Sequence, residues 1–119
     1  MQTYQQRVQQ WVTEAFGPKV ANDKKERAYR FIEESIELVQ STGLTKEDVL
    51  TMVDYVFGRP AGEPYQEIGG VMVTLASLTE VQNLDLTECA EMELERAILK
   101  TDKIRAKQRS KPHSIKTTA

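Results

Sequence analysis

The chain contains one cysteine, Cys89, and one histidine, His113. A lone thiol cannot close an intrachain disulfide, so a reducing, cytoplasmic setting is expected. His113 lies in a polar C-terminal stretch, and no histidine neighbours Cys89 in sequence. Neither a Ser–His nor a Cys–His nucleophile is therefore available. P-loop, HExxH and CxxC patterns are missing as well. Aromatic residues make up only 7% of the sequence. No apolar run approaches the roughly 20 residues of a membrane span. No signal-peptide pattern opens the chain, and no repeat or low-complexity segment interrupts it.

Charge is plentiful, at 29% of residues. The net charge of −2 hides an asymmetry. Residues 1–99 hold 9 Lys/Arg against 17 Asp/Glu, and residues 100–119 hold 7 against 1. An acidic body of this kind argues against broad nucleic-acid binding. At 119 residues the natural count is one domain, with a modest core that oligomerisation would enlarge.

Hydrophobic spacing predicts helices throughout. The first covers residues 3–16, with Tyr4, Val8, Trp11, Val12 and Phe16 as its apolar stripe, and Gly17-Pro18 ends it. Trp11 reads as a packing anchor. The second starts at Asn22 or Asp23 and runs to Ser41, with Gly43 as its stop. Asp23 and Glu26 resemble a capping box. A third helix spans residues 46–57 after Thr45, with Leu50, Val53 and Phe57 able to face a core. The loop Gly58-Arg59-Pro60-Ala61-Gly62-Glu63-Pro64 cannot continue it. A fourth helix runs from Tyr65 to Gln82 and is nearly apolar all round beyond its first turns, which implies burial on several sides. A fifth runs from Leu86 to Gln108, acidic first and basic second, in keeping with its dipole. The expected domain covers residues 1–109, followed by a flexible tail at 110–119.

Three features carry chemistry. On the second helix, Glu33, Glu34 and Glu37 gather opposite the face of Phe31, Ile32, Ile36 and Val39. Glu34 and Glu37 are i,i+3 neighbours whose carboxylates can converge. They form either a solvated acidic face paired with Arg30 or a site for a hard divalent cation. On the fourth helix, Glu67 shares a stripe with Val71, Thr74, Leu78 and Val81, where a carboxylate needs a partner. Gly69-Gly70 weakens the same helix by about 1 kcal/mol per glycine relative to alanine, a cost that suits the close approach of a backbone or ligand. Third, Asp54 sits unfavourably near a helix C-terminus and calls for Arg59 or a metal as partner.

Glu33-Glu34-x-x-Glu37, followed by Glu67 near the start of a later helix, resembles the EExxE…ExxD signature of the MazG-like all-α nucleoside triphosphate pyrophosphohydrolases. The segments Val53–Pro60 and Glu67–Leu75 are similar to a bacterial and phage branch of that superfamily. The resemblance covers residues 24–108. It implies an all-α bundle of four or five helices, assembled as a homodimer or homotetramer. It also implies hydrolysis of a nucleoside triphosphate to the monophosphate and pyrophosphate, with Mg²⁺ as cofactor and Mn²⁺ as a substitute. By position, Glu34, Glu37 and Glu67 would be metal ligands. Glu33 would be the catalytic residue that orients water, or an auxiliary ligand. Lys100 and Lys103 would meet the triphosphate.

The sequence departs from the pattern at Gly70, where the family has the Asp of ExxD. Three alternatives follow: Asp54 or Glu63 supplies the oxygen, water fills the site, or the chain is a catalytically degenerate helical oligomer that binds nucleotide or a protein partner. Plain oligomerisation and nucleic-acid binding by the basic end are the other readings.

Overall fold

Every regular element in the computed structural model is helical, among the residues it describes, 1–112. The helices are α1 (Tyr4–Phe16), α2 (Pro18–Ala21), α3 (Lys24–Ser41), α4 (Lys46–Phe57), α5 (Pro64–Val81), α6 (Leu86–Leu99) and α7 (Thr101–Gln108). The all-α expectation therefore holds. None of these helices is long and apolar enough to cross a membrane. His113 and most of the expected tail lie outside the described residues.

Chain contacts divide the molecule into two units, one of residues 1–33 and 90–119 and one of residues 34–89. The first unit holds the core. Thr3 and Gln6 form a reciprocal capping box that starts α1. Gly17, at φ 85°, ends α1 in a backbone conformation that favours glycine. Pro18 then opens α2 at the first helical position, where its missing N–H costs nothing. Val12, Ala15, Phe16, Val20 and Ala21 are buried together, and Val8, Trp11 and Ile104 pack against them. Fully burying a side chain the size of Val12, Val20 or Phe16 contributes about 1.5–3 kcal/mol. Trp11 meets Phe16 edge-on, with ring centroids 5.8 Å apart, and its Nε1 donates to the Thr101 hydroxyl at 3.0 Å. It is the packing anchor the sequence suggested. Arg105 Nε donates to the Ala15 carbonyl at 2.7 Å, satisfying one of the open acceptors at the end of α1. Two more links hold α6 to α1: the Tyr4 hydroxyl donates to the Ala90 carbonyl, and Arg7 forms a two-pronged pair with Glu91.

The second unit is built from local signals. Gly43, at φ 103°, closes α3 through bonds from Gly43 N–H to the Gln40 carbonyl and from Leu44 N–H to the Val39 carbonyl. Thr45 and Asp48 then form a reciprocal capping box for α4. Forty residues later the same punctuation recurs. Asn83, at φ 59°, donates to the Glu80 carbonyl, Leu84 N–H reaches the Thr79 carbonyl, and the Asp85 carboxylate accepts from Glu88 N–H at 2.7 Å. Helices α3 and α5, both 18 residues long, also begin forty residues apart. The repeat is faint in the sequence: Leu44 matches Leu84, while Gly43, Thr45 and Asp48 correspond to Asn83, Asp85 and Glu88.

Four expectations change. Gly17-Pro18 ends one helix and also begins another. The fifth predicted helix breaks at Lys100 into α6 and α7. Glu26 forms half a capping box: its N–H donates to Asp23 at 2.9 Å, while its side chain turns inward. Finally, α5 is not buried on several sides in the single chain. Thr79 alone is buried along it, and Leu50, Val53 and Phe57 of α4 are exposed too.

Candidate functional site

The candidate site begins on α3, which is an unbroken helix through Glu33, Glu34 and Glu37. Glu33 is half-buried between two cations. Arg30 Nη1 donates to its carboxylate at 3.3 Å, and Lys111 Nζ lies 3.2 Å from the same oxygen. The expected Arg30–Glu33 pair is therefore present, and it is reinforced from the segment after α7. Glu34 and Glu37 are exposed.

Glu67 stands in the first turn of α5, where its negative charge suits the helix dipole. It is exposed, so the partner required by a buried carboxylate is not needed. Its side chain folds over the preceding loop. A Cβ added at Gly62 would fall 2.3 Å from Glu67 Oε2, so the glycine leaves room for the carboxylate. Glu63 precedes α5 as its N-cap without a side-chain capping bond. At Gly70, nothing among the described residues beyond the helix's own backbone lies within 4 Å of where a Cβ would be.

Asp54 is exposed and makes no ion pair with Arg59 among the described residues. Arg59 instead lies over the Tyr55 ring, 4.4 Å from its centroid. A guanidinium on an exposed ring gains about 0.5–1 kcal/mol, comparable with an exposed ion pair. Lys100 and Lys103 line one open cleft of about 360 Å³, with Ile98, Leu99, Thr101 and Asp102.

Among the described residues, no three His, Cys, Asp or Glu side chains are placed to hold a metal ion. A set of Glu34, Glu37 and Glu67, with or without Asp54 or Glu63, is therefore not assembled within one chain.

The most heavily buried charge among the described residues is one the sequence read only as half of a capping box. Glu26, 1% exposed, accepts from the Gln108 amide and lies 3.4 Å from Arg30 Nε and 3.6 Å from Arg27 Nη2. Arg30 also donates to the Pro112 carbonyl. Burial pushes the Arg27 guanidinium below its ordinary range, and the neighbouring Glu26 opposes that shift. The i,i+4 spacing of Glu26 and Arg30 is a signal from which the pair could have been found. Only the fold brings in Gln108 and Lys111.

No known protein family, curated protein or solved structure matches the chain.

Proposed function

We propose that the chain is a metal-dependent nucleoside triphosphate pyrophosphohydrolase that works as a homodimer or homotetramer. The observation that carries this reading is the continuous α3 bearing Glu33-Glu34-x-x-Glu37, followed by a solvent-facing Glu67 in the first turn of α5. A bound Mg²⁺ would supply charge neutralisation on the polyphosphate. Because no complete ligand set forms among the described residues of one chain, the reading places hydrolysis in the assembled, substrate-bound protein. Glu33, held between Arg30 and Lys111, is assigned to orienting the attacking water. The cleft at Lys100 and Lys103 supports a role for these residues in meeting the phosphates.

The test is pyrophosphate release from a panel of ribo- and deoxyribonucleoside triphosphates, with and without Mg²⁺ or Mn²⁺. Metal-dependent release from at least one is expected. Glu34→Gln should abolish it with the helical circular dichroism intact. Wild-type turnover in that variant removes Glu34 from the site. No release from the whole panel by folded protein favours the second reading, a helical assembly module without catalysis. Gly70 in place of the expected Asp is the observation on that side.

A further inference from the structure

Residues 34–89 carry 10 acidic side chains against two basic ones, Lys46 and Arg59. Arg59 nevertheless takes no carboxylate as partner among the described residues. The Tyr55 ring holds its guanidinium instead, 4.4 Å from the centroid, and both residues are exposed. The backbone is fixed as well. Arg59 N–H bonds to the Val56 carbonyl at 3.2 Å, and Pro60 restricts the residue before it. Stacking uses the face of a guanidinium and leaves its edge of N–H donors unspent. That planar fork matches two acceptors lying side by side. Two neighbours frame it. Tyr65, in the first turn of α5, is 94% exposed and offers an open aromatic face. The Glu67 carboxylate folds over Gly62, which lies three residues from Arg59 and so at most about 11 Å away along the backbone.

We propose that Arg59, set by Tyr55, reads the O6 and N7 acceptors of guanine, so that guanine nucleotides are the substrate class. The inference rests on the hydrolase reading for the reaction, though not for the binding. A carboxylate or a bare polyphosphate also matches the fork, but the acidic charge of this stretch opposes an anion. A neutral base edge meets no such repulsion. Bidentate contact with O6 and N7 is the commonest specific pairing of arginine with a base, whereas adenine sets a donor beside its N7. Cytosine offers two acceptors on a single ring, with less area than a purine for Tyr65 to stack on. The short reach from Arg59 to Gly62 lets one nucleotide present its base to the fork and its phosphates toward Glu67. Arg59 also suits the negative end of α4, a role that lysine fills equally well.

The experiment is isothermal titration calorimetry of the full chain with guanosine monophosphate (GMP), its 7-deaza analogue, AMP and CMP in metal-free buffer. The phosphate is the same in all four, so differences report the base. GMP should bind roughly tenfold or more tighter than AMP. The 7-deaza analogue lacks the N7 acceptor and should lose most of that preference. Arg59→Lys keeps the charge at the end of α4 but not the planar fork. Its affinity for GMP should fall to that for AMP, with circular dichroism and melting temperature unchanged. Tyr55→Leu should weaken GMP in the same sense, because the guanidinium is no longer held. Equal affinities in wild type, no GMP binding by folded protein, a preference for CMP, or an undiminished GMP preference in Arg59→Lys each overturn the proposal. If Arg59→Lys fails to fold, Tyr55→Leu and the 7-deaza analogue decide. The hydrolase reading fails separately. A GMP preference without pyrophosphate release from GTP or dGTP keeps the guanine site and removes the reaction, while release without any guanine preference does the reverse.

Discussion

Removing the buried carboxylate should be among the most damaging single changes available to this fold. In Glu26→Ala the Gln108 amide loses its acceptor, and Arg27 and Arg30 lose the anion that lies 3.6 and 3.4 Å away. The Arg30 side chain is 13% exposed and that of Arg27 28%, so water compensates the first poorly and the second in part. Breaking a buried ion pair from one side costs about 3–5 kcal/mol. The partial exposure of Arg27 points to the lower half of that range. Against a typical domain stability of about 5–15 kcal/mol, the loss is easily measured by urea unfolding followed by circular dichroism. Adding Arg27→Met should return part of it, because that stranded cation is then gone as well. A cost below about 1 kcal/mol for Glu26→Ala, or a double variant no better than the single, would refute this account of the network.

Two further predictions concern the loop and the α1–α6 contact. Gly62→Ala should leave stability within about 0.5 kcal/mol, because only the flexible end of Glu67 must move. If Glu67 serves turnover, the same variant lowers metal-dependent pyrophosphate release, so unchanged release would separate the carboxylate from the chemistry. The hydrogen bond from Arg7 holds the Glu91 carboxyl below its usual range. A depressed carboxylate stabilises the fold fully above its unfolded value and ceases to do so as pH falls through its folded value. The melting temperature of wild type should therefore exceed that of Arg7→Gln at neutral pH and converge with it in acid. A pH-independent gap would contradict the assignment.

The helices were legible wherever local chemistry sets their ends. Thr45 and Asp48 start α4, Gly58 stops it, and the sequence placed both limits correctly. Position 100 carries no such signal. There the Thr101 hydroxyl bonds the Ala97 and Ile98 carbonyls while accepting from the Trp11 indole, a contact from ninety residues away in the chain. The short α2 was lost because Gly-Pro was read only as a stop. The acidic run on α3 was equally plain, as was the pairing of Arg30 with Glu33. What sequence alone did not supply was the environment of each carboxylate. Glu67 was expected on a buried stripe, yet it is exposed, as are Val71 and Val81 of the same stripe.

The paired connectors at Gly43 and Asn83 bear on the order of events during folding. Each stop and start closes on residues within six positions of it, so neither waits for a distant contact. Helix formation on this scale takes about 0.1–1 μs. The α3–α4 and α5–α6 turns are therefore set long before two chains can meet at cellular dilution. In the oligomer proposed above, assembly would bring together surfaces that already exist, and its rate would rise with protein concentration while the appearance of helix does not.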